Sequence, residues 1–480
     1  MISTLDKIDT MKMLIGENWV ESSTKLSVLN PYSGKEVYAV SCADADHVQK
    51  ALKSAELGKE ISRNLSPYDR SEIIARVVVF LKERKEEFTQ IIVNEGVKTK
   101  VEAAKEVDRC INTLTLCSEE AKRLMGETVP FSAFAGAASR TGYYVHDPIG
   151  IITAIIPFND PLNLVAHKLG PAIASGNAVI LKPSDFTPIS AIKLGELFLE
   201  AGLPYHILNI ITGPVSNFGN ALITDSRVNM VSFTGGTKSG EAIIKAAGIK
   251  KVVMELGSSS PVIVMDDVDI DTVAENCIGG MIWAAGQNCV GVKRMYVHDA
   301  IYDRFKEKVV TLAKSVQLGD PGDATTDMGP IITQEAINVI KNSISDLKKS
   351  GYQVLCGGKQ VGNAFEATLI EGSHDHPLNG KQEIFGPVAT ISRISSLEEG
   401  IKASNDSPYG LHAGIFTNSI EAAFKAVNQL QCGGVMVNDS SDYRIDMMPF
   451  GGIKQSGIGR EGVKSAMREM TTTKIACFNL

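Results

Sequence analysis

From about residue 145 the chain alternates short apolar runs with helix-length amphipathic segments, and this rhythm restricts its possible folds more than any other feature. Runs at 149–156, 178–181, 207–211, 229–233 and 250–254 read as strands, and the segments near 163–175, 188–201, 216–224 and 237–247 read as helices. Such repeated alternation predicts right-handed βαβ units and a parallel sheet. It resumes after residue 256, with strands at 261–264 and 295–298 and helices at 270–284 and 300–314, so a second α/β unit is expected. Upstream, Ile73, Ile74, Val77, Phe80, Leu81, Phe88, Ile91 and Ile92 share one face of a helix read across 67–95, with Pro67 near its start and Gly96 just past its end. A second helix is read at 101–124. The segment 126–143 lacks a helical period and reads as an excursion of hairpin type. No Pro/Gly/Ser linker separates the units, so close packing is expected.

Composition removes several function classes. At roughly 150 residues per domain, 480 residues make about three domains or fewer. The 48 Lys and Arg against 55 Asp and Glu give a net charge of −7, which argues against nucleic acid as a partner. The eight cysteines contain no C-x-x-C pair, so neither a disulfide framework nor a cysteine zinc site is expected, and a reducing cytoplasm is the natural compartment. The N-terminal residues carry no apolar leader segment behind a basic start. The longest apolar stretches, 149–158 and 277–286, fall short of the ~18 residues that span a bilayer, so no membrane is expected. His374-Asp375-His376 reads as solvated surface, and no metal is expected. Gly457, Gly459 and Gly462 match G-x-G-x-x-G, but without a strand before them or a βαβ unit after them. They read as a glycine-rich turn entering a short helix at 461–470.

Four features carry chemistry, all at element ends. Cys289 follows an apolar helix and lies in a polar tip between Gly286 and Gly291, where glycines allow a ligand close to the backbone. It reads as a nucleophile or as an inert core thiol. Glu255 ends the strand Lys251-Val252-Val253-Met254-Glu255, where an apolar setting raises a carboxyl pKa towards that of a general base; the other reading is a turn cap. Asn159, in Ile156-Pro157-Phe158-Asn159, offers an amide N–H to a developing oxyanion or belongs to a turn beside Pro161. Phe233-Thr234-Gly235-Gly236-Thr237 opens a helix whose free N–H groups suit a pyrophosphate, and Lys182-Pro183-Ser184-Asp185 ends a neighbouring strand.

Together and in this order these features resemble the aldehyde dehydrogenase superfamily, from about Met13 to the end of the chain. The resemblance includes Pro157-Phe158-Asn159, Lys182-Pro183, Phe233-Thr234-Gly235, Glu255-Leu256-Gly257, Gly286-Gln287-Asn288-Cys289, Glu383-Ile384-Phe385-Gly386-Pro387, Tyr409-Gly410-Leu411 and Pro449-Phe450-Gly451-Gly452. It implies an α/β fold: a variant Rossmann cofactor domain at 1–122 and 145–255, an α/β catalytic domain at 256–460, and a small β oligomerisation element at 123–144 and 461–480. It implies that Cys289 attacks an aldehyde, Asn159 and the Cys289 N–H hold the oxyanion, hydride passes to a nicotinamide, and Glu255 activates the water that releases an acid. Lys182 and Glu383 match positions that hold the two riboses, and Gly235 and Gly236 match the turn near the pyrophosphate. The same resemblance sets Ile155, Pro157, Ser184, Asp185, Phe233, Leu256 and Phe385 against the cofactor. It also implies assembly into dimers or tetramers.

Ser258 departs from the family's usual Glu-Leu-Gly-Gly, and its hydroxymethyl either crowds the nicotinamide side or hydrogen-bonds nearby. Asp185 lies near the adenosine ribose, where a carboxylate accepts from a 2′-hydroxyl and repels a 2′-phosphate, so NAD is expected over NADP. Arg109 and Arg444 read as solvated or ion-paired, or as a fork for a carboxylate, sulfonate or phosphate. With His167 and Asn288 they are the candidate substrate residues. The likeness is closest to lactaldehyde-, sulfolactaldehyde- and glyceraldehyde-3-phosphate-type members. Asn288 stands where phosphate-handling members usually carry Arg, so a short hydroxylated or singly anionic aldehyde is expected. A coenzyme A-acylating enzyme and a non-catalytic protein on the same fold are the alternatives.

Overall fold

The computed structural model describes residues 10–376 and 379–480; the first nine residues, part of the N-terminal stretch read above, lie outside it. The amino-terminal third is helical. Helix α1 (Ala45–Asn64) starts at a cap made by Asp44, and α2 (Pro67–Glu83) at a reciprocal cap between Ser66 and Asp69. The helix expected across 67–95 is two: α2 stops at Arg84, which leaves helical geometry at φ −107° and ψ 23°, and α3 (Lys85–Glu95) follows. The Arg84 guanidinium lies across the Glu200 carboxylate at 2.6 and 2.7 Å, tying the break to a neighbouring helix. Helix α4 (Lys100–Ala121) begins at a cap between Thr99 and Glu102. The helix expected at 216–224 is reduced to a 3-10 turn and the single turn Ala221–Thr224.

The expected parallel sheet forms. Its order is Gly457–Ile458, Lys251–Glu255, Met230–Thr234, Ile151–Ile155, Ala178–Lys182, Leu208–Ile210, Met13–Ile15 and Asn18–Val20, and its five central strands are parallel. The central strands are buried on both faces, which is why they read as continuous apolar runs. One face packs on α2, α3, α4 and α5 (Asn163–Ala174), the other on α1 and the helix Thr237–Ala247. The second unit is a seven-stranded sheet built around Pro261–Val264 and Arg294–His298, with its own core. A third sheet pairs Arg140–Pro148 with Thr471–Asn479 antiparallel, with Glu127–Thr128 at its edge; the expected hairpin is part of it. The glycines of the rejected dinucleotide motif serve packing: a Cβ on Gly457 would meet the Met254 carbonyl at 2.1 Å, and one on Gly462 the Met448 carbonyl at 2.2 Å.

Helices α4 and α5 approach closely because Gly170 faces Leu114 and Cys117. A methyl group on Gly170 would lie 2.6 Å from the Cys117 sulfur and 3.2 Å from Leu114. Gly170→Ala is therefore expected to destabilise the protein by about 1–3 kcal/mol, read from the urea midpoint, despite the better helix propensity of alanine.

Candidate active site

The order of the first sheet reverses beside its first central strand. From Ile151–Ile155 the chain steps outward to Ala178–Lys182 and Leu208–Ile210, then crosses back to lay Met230–Thr234 on the other side. The helices after the two adjoining strands, α5 and Thr237–Ala247, cover opposite faces, so a crevice opens beyond the strand ends. It is a cleft of about 880 Å³ whose walls include Asn159, Glu255 and Cys289.

Asn159 is carried by the loop after Ile151–Ile155. Its neighbour Asp160 is ion-paired with the buried Lys98, and Lys98 also donates to Glu106 on α4 at 2.7 Å. Glu255 is the last residue of its strand, in register with Thr234. Both of its carboxylate oxygens are buried without a hydrogen-bond partner among the described residues. Burial, and then the nearby Glu461, push this carboxyl well above the ordinary range. Gly451 makes room for it, since a Cβ there would lie 2.8 Å from its Oε1. Cys289 follows a turn in which Ala284, Ala285 and Gly286 all take left-handed backbone angles, with φ of 52°, 54° and 68°. Only glycine fits at 286, because a Cβ would meet the Gly386 carbonyl oxygen at 2.2 Å. The Lys293 ammonium donates to the carbonyls of Gly286 (2.6 Å) and Gly386 (2.8 Å), joining the turn to the loop that bears Glu383 and Phe385. Burial pushes the Cys289 thiol up to about 12, with Arg444 opposing.

Pro157, Ser184, Phe233, Gly235, Gly236, Leu256, Glu383 and Phe385 line one arm of the cleft. Ile155 lies half-buried at its strand end, beside rather than on the wall. Lys182 and Asp185 also stand off the wall: the Lys182 ammonium donates to the Asp185 carboxylate at 2.7 Å and to the Pro183 carbonyl at 2.8 Å. The Asp185 charge is thus paired. Gly236 caps the helix Thr237–Ala247 without a side-chain bond, and among the described residues nothing fills the space where its Cβ would point and Thr237 Oγ1 is buried without a partner. Free N–H groups and an orphan hydroxyl at a helix start fit the pyrophosphate of a dinucleotide. Glu383 Oε1 accepts from the Ser258 N–H at 3.0 Å, and the Ser258 hydroxyl bonds the Ser260 hydroxyl at 3.0 Å, so that side chain turns into the protein.

The other arm holds Arg109, Asn288 and Arg444. Both arginines are ion-paired, Arg109 with Asp446 (3.0 Å) and Arg444 with Glu461 (3.2 Å), yet the Nε of each is buried with no partner among the described residues. Arg444 also stacks over the Phe450 ring at 3.7 Å. His167, expected against the substrate, lies instead one layer behind the wall, fully buried, with Nε2 3.0 Å from Asp446 Oδ1 and 3.4 Å from Arg444. Burial, then Arg444, push its pKa down, so it is a neutral support for Asp446 rather than a cation in the cleft. Glu461 and Lys105 are wall residues that the sequence reading did not pick out. Glu461 accepts from Lys168 (3.1 Å), Thr234 (3.4 Å) and Arg444; against the pull of burial, Lys168 and Arg444 hold it down to about 2. Lys105 stands at the mouth, one turn before Arg109 on α4, with its ammonium over the Trp283 ring at 5.5 Å; that spacing was the available signal. Among the described residues no three His, Cys, Asp or Glu gather as metal ligands. His374, from the rejected metal motif, contacts the Arg393 carbonyl and Glu399.

Comparison with known proteins agrees with this geometry. The profile described as "Aldehyde dehydrogenase family" matches residues 19–476. Aspartate-semialdehyde dehydrogenase 1 of Pseudomonas canavaninivorans is 44% identical over 455 residues, 95% of this chain and 97% of that one. The 3-sulfolactaldehyde dehydrogenase of Priestia megaterium is 39% identical over 479 residues, covering 100% of both. The crystal structure of aldehyde dehydrogenase 21 from Physcomitrella patens in complex with its reaction product succinate superposes with a TM-score of 0.95 at 35% identity, covering 98% of this chain and 99% of that one. A match over nearly the whole chain, with the strand-order crevice and with Asn159, Glu255 and Cys289 in one cleft, makes this protein a member of the aldehyde dehydrogenase family.

Proposed function

We propose that this protein oxidises a short hydroxylated or anionic aldehyde, of lactaldehyde, sulfolactaldehyde or semialdehyde type, to its carboxylic acid with NAD or NADP. The observation that carries the reading is the single cleft in which Cys289, Asn159 and Glu255 stand between the Gly235-Gly236 turn and the arginines 109 and 444. When bound, the dinucleotide supplies a hydride acceptor and a positive charge. Next to such a charge the Cys289 thiol loses its proton to water more readily, against the burial that holds it up. The sulfur bonds to the aldehyde carbon, and the oxyanion accepts hydrogen bonds from the Asn159 amide and the Cys289 N–H, each such donor being worth roughly 3–4 kcal/mol in the transition state. Loss of hydride leaves a thioester on Cys289. Ionised Glu255 takes a proton from water, the water oxygen bonds to the thioester carbon, and the carbon–sulfur bond breaks. Glu461, held ionised beside Glu255, keeps the two carboxyls far apart in pKa, so one accepts a proton while the other anchors Lys168 and Arg444.

The free Nε groups of Arg109 and Arg444 suit a carboxylate or sulfonate, and two relatives are named for aldehydes that carry one of these groups. The sheet of Arg140–Pro148 and Thr471–Asn479 exposes Tyr143, Ile475 and Phe478, and in this reading a second subunit covers it in a dimer or tetramer.

Cys289→Ser is expected to lower turnover at least about 1,000-fold. Glu255→Gln is expected to give one equivalent of reduced cofactor per site in a burst, then slow turnover, and the addition of coenzyme A is expected not to replace water. The same substitution tests the electrostatics. A carboxyl with a raised folded pKa disfavours folding above its unfolded value near 4.5. Glu255→Gln is therefore expected to raise the melting temperature at pH 8, with the gain shrinking towards pH 4. An equal melting temperature at pH 8 would contradict it. Arg109→Ala and Arg444→Ala are expected to raise KM for anionic aldehydes about 10- to 100-fold and for neutral ones much less. Unchanged KM for every anionic aldehyde would remove this substrate class.

A further inference from the structure

Two carboxylates that touch neither the cleft nor each other connect its two reactive loops. Glu102 and Glu106 lie one turn apart on the buried face of α4, and neither lines the cavity. Glu102 Oε2 accepts from the Thr99 N–H at 2.9 Å, closing the helix cap. Its Oε1 accepts from the Ala284 N–H, also at 2.9 Å, across 182 residues of sequence. Ala284 is the first of the three left-handed residues that lead into Gln287-Asn288-Cys289. Alanine disfavours that conformation, and it persists only where the surroundings dictate it. Glu106 Oε1 accepts from the N–H groups of Leu162 (2.8 Å) and Asn163 (3.0 Å), which end the Asn159 loop and open α5. Its Oε2 accepts from Lys98, whose ammonium also holds Asp160, the residue next to Asn159.

We infer that Glu102 and Glu106 are positioning residues: from one rigid helix they pin the Cys289 turn and the Asn159 loop, and so set the spacing between nucleophile and oxyanion donor. The role of that spacing in aldehyde oxidation rests on the function proposed above; the pinning itself does not. Peptide N–H groups held by a buried carboxylate make charge-assisted bonds, and small misplacements of reacting groups cost rate steeply.

The test compares full-length wild type, Glu102→Gln, Glu106→Gln and Ala284→Gly, with each protein's fold checked by circular dichroism and melting temperature. Two rates are read: turnover with an anionic aldehyde, and cofactor-free alkylation of Cys289 by iodoacetamide, followed by mass spectrometry. Glu102→Gln is expected to lower kcat about 10- to 100-fold with KM for NAD within about twofold, and to change the Cys289 alkylation rate about 10-fold. Glu106→Gln is expected to lower kcat similarly but leave alkylation near wild type, because it acts on the other loop. Glycine at 284 adopts the left-handed turn without strain, so Glu102→Gln is expected to cost less in the Ala284→Gly background; that background also serves if the single variant does not fold. Folded Glu102 variants that alkylate and turn over at the wild-type rate would overturn the inference. If wild type oxidises no aldehyde, the function proposal falls, while the alkylation comparison still decides whether Glu102 pins the Cys289 turn.

Discussion

Everything at this site depends on one topological constraint. Where a parallel sheet reverses its order, the two flanking strands send their helices to opposite faces, and no element remains to fill the space beyond their ends. In this chain the reversal falls between Ile151–Ile155 and Met230–Thr234. The loop bearing Asn159 and the Gly235-Gly236 turn therefore face each other across a gap the fold cannot close. Glu255 enters the same gap because its strand pairs in register with Met230–Thr234. The second unit then needs only to bring one loop tip, with Cys289, to the crevice.

Closing such a gap with charged walls requires that burial be answered by partners. Lys98, Glu106 and Asp160 compensate one another, as do Lys168, Arg444 and Glu461. Glu255 differs from these carboxylates: neither of its oxygens has a hydrogen-bond partner among the described residues. A buried carboxyl without a hydrogen-bond partner is costly to ionise, and for that reason it is ready to take a proton once it does. Arg109 Nε and Arg444 Nε, on the same wall, are likewise without a partner among the described residues, although both guanidinium groups are ion-paired.

How much of this was legible in the sequence follows from the range of the interactions. The strands, Glu255 at a strand end and the glycine-flanked Cys289 are local patterns and could be read directly. The left-handed turn before Cys289 could not, since two of its three residues are alanines, which carry no signal for that conformation; it is held by a carboxylate 182 residues away. Glu461 was equally hidden, because its meaning comes from Lys168 and Arg444, which only the folded chain brings together. The break at Arg84 was missed because both flanking segments share one helical period, while the pairing with Glu200 is tertiary. His167 was misassigned to the substrate for a related reason: a histidine in a buried helix gives no sign of which side of a wall it occupies.

The same logic revises the argument about the cofactor. Read alone, Asp185 is a negative charge that would repel a 2′-phosphate. In the fold it accepts from the Lys182 ammonium at 2.7 Å, inside ion-pair distance. A phosphate approaching this corner meets a pair whose charges largely cancel rather than a bare carboxylate, and the Coulomb repulsion that would exclude NADP falls accordingly. Ser258 takes the second of its two expected courses and hydrogen-bonds nearby. Its hydroxyl is bound to Ser260 and its N–H to Glu383, so the extra atoms relative to glycine point into the protein. Under the proposed function, discrimination at this corner depends on whether a ribose hydroxyl can draw Lys182 and Asp185 apart, which is a question of their mutual attraction.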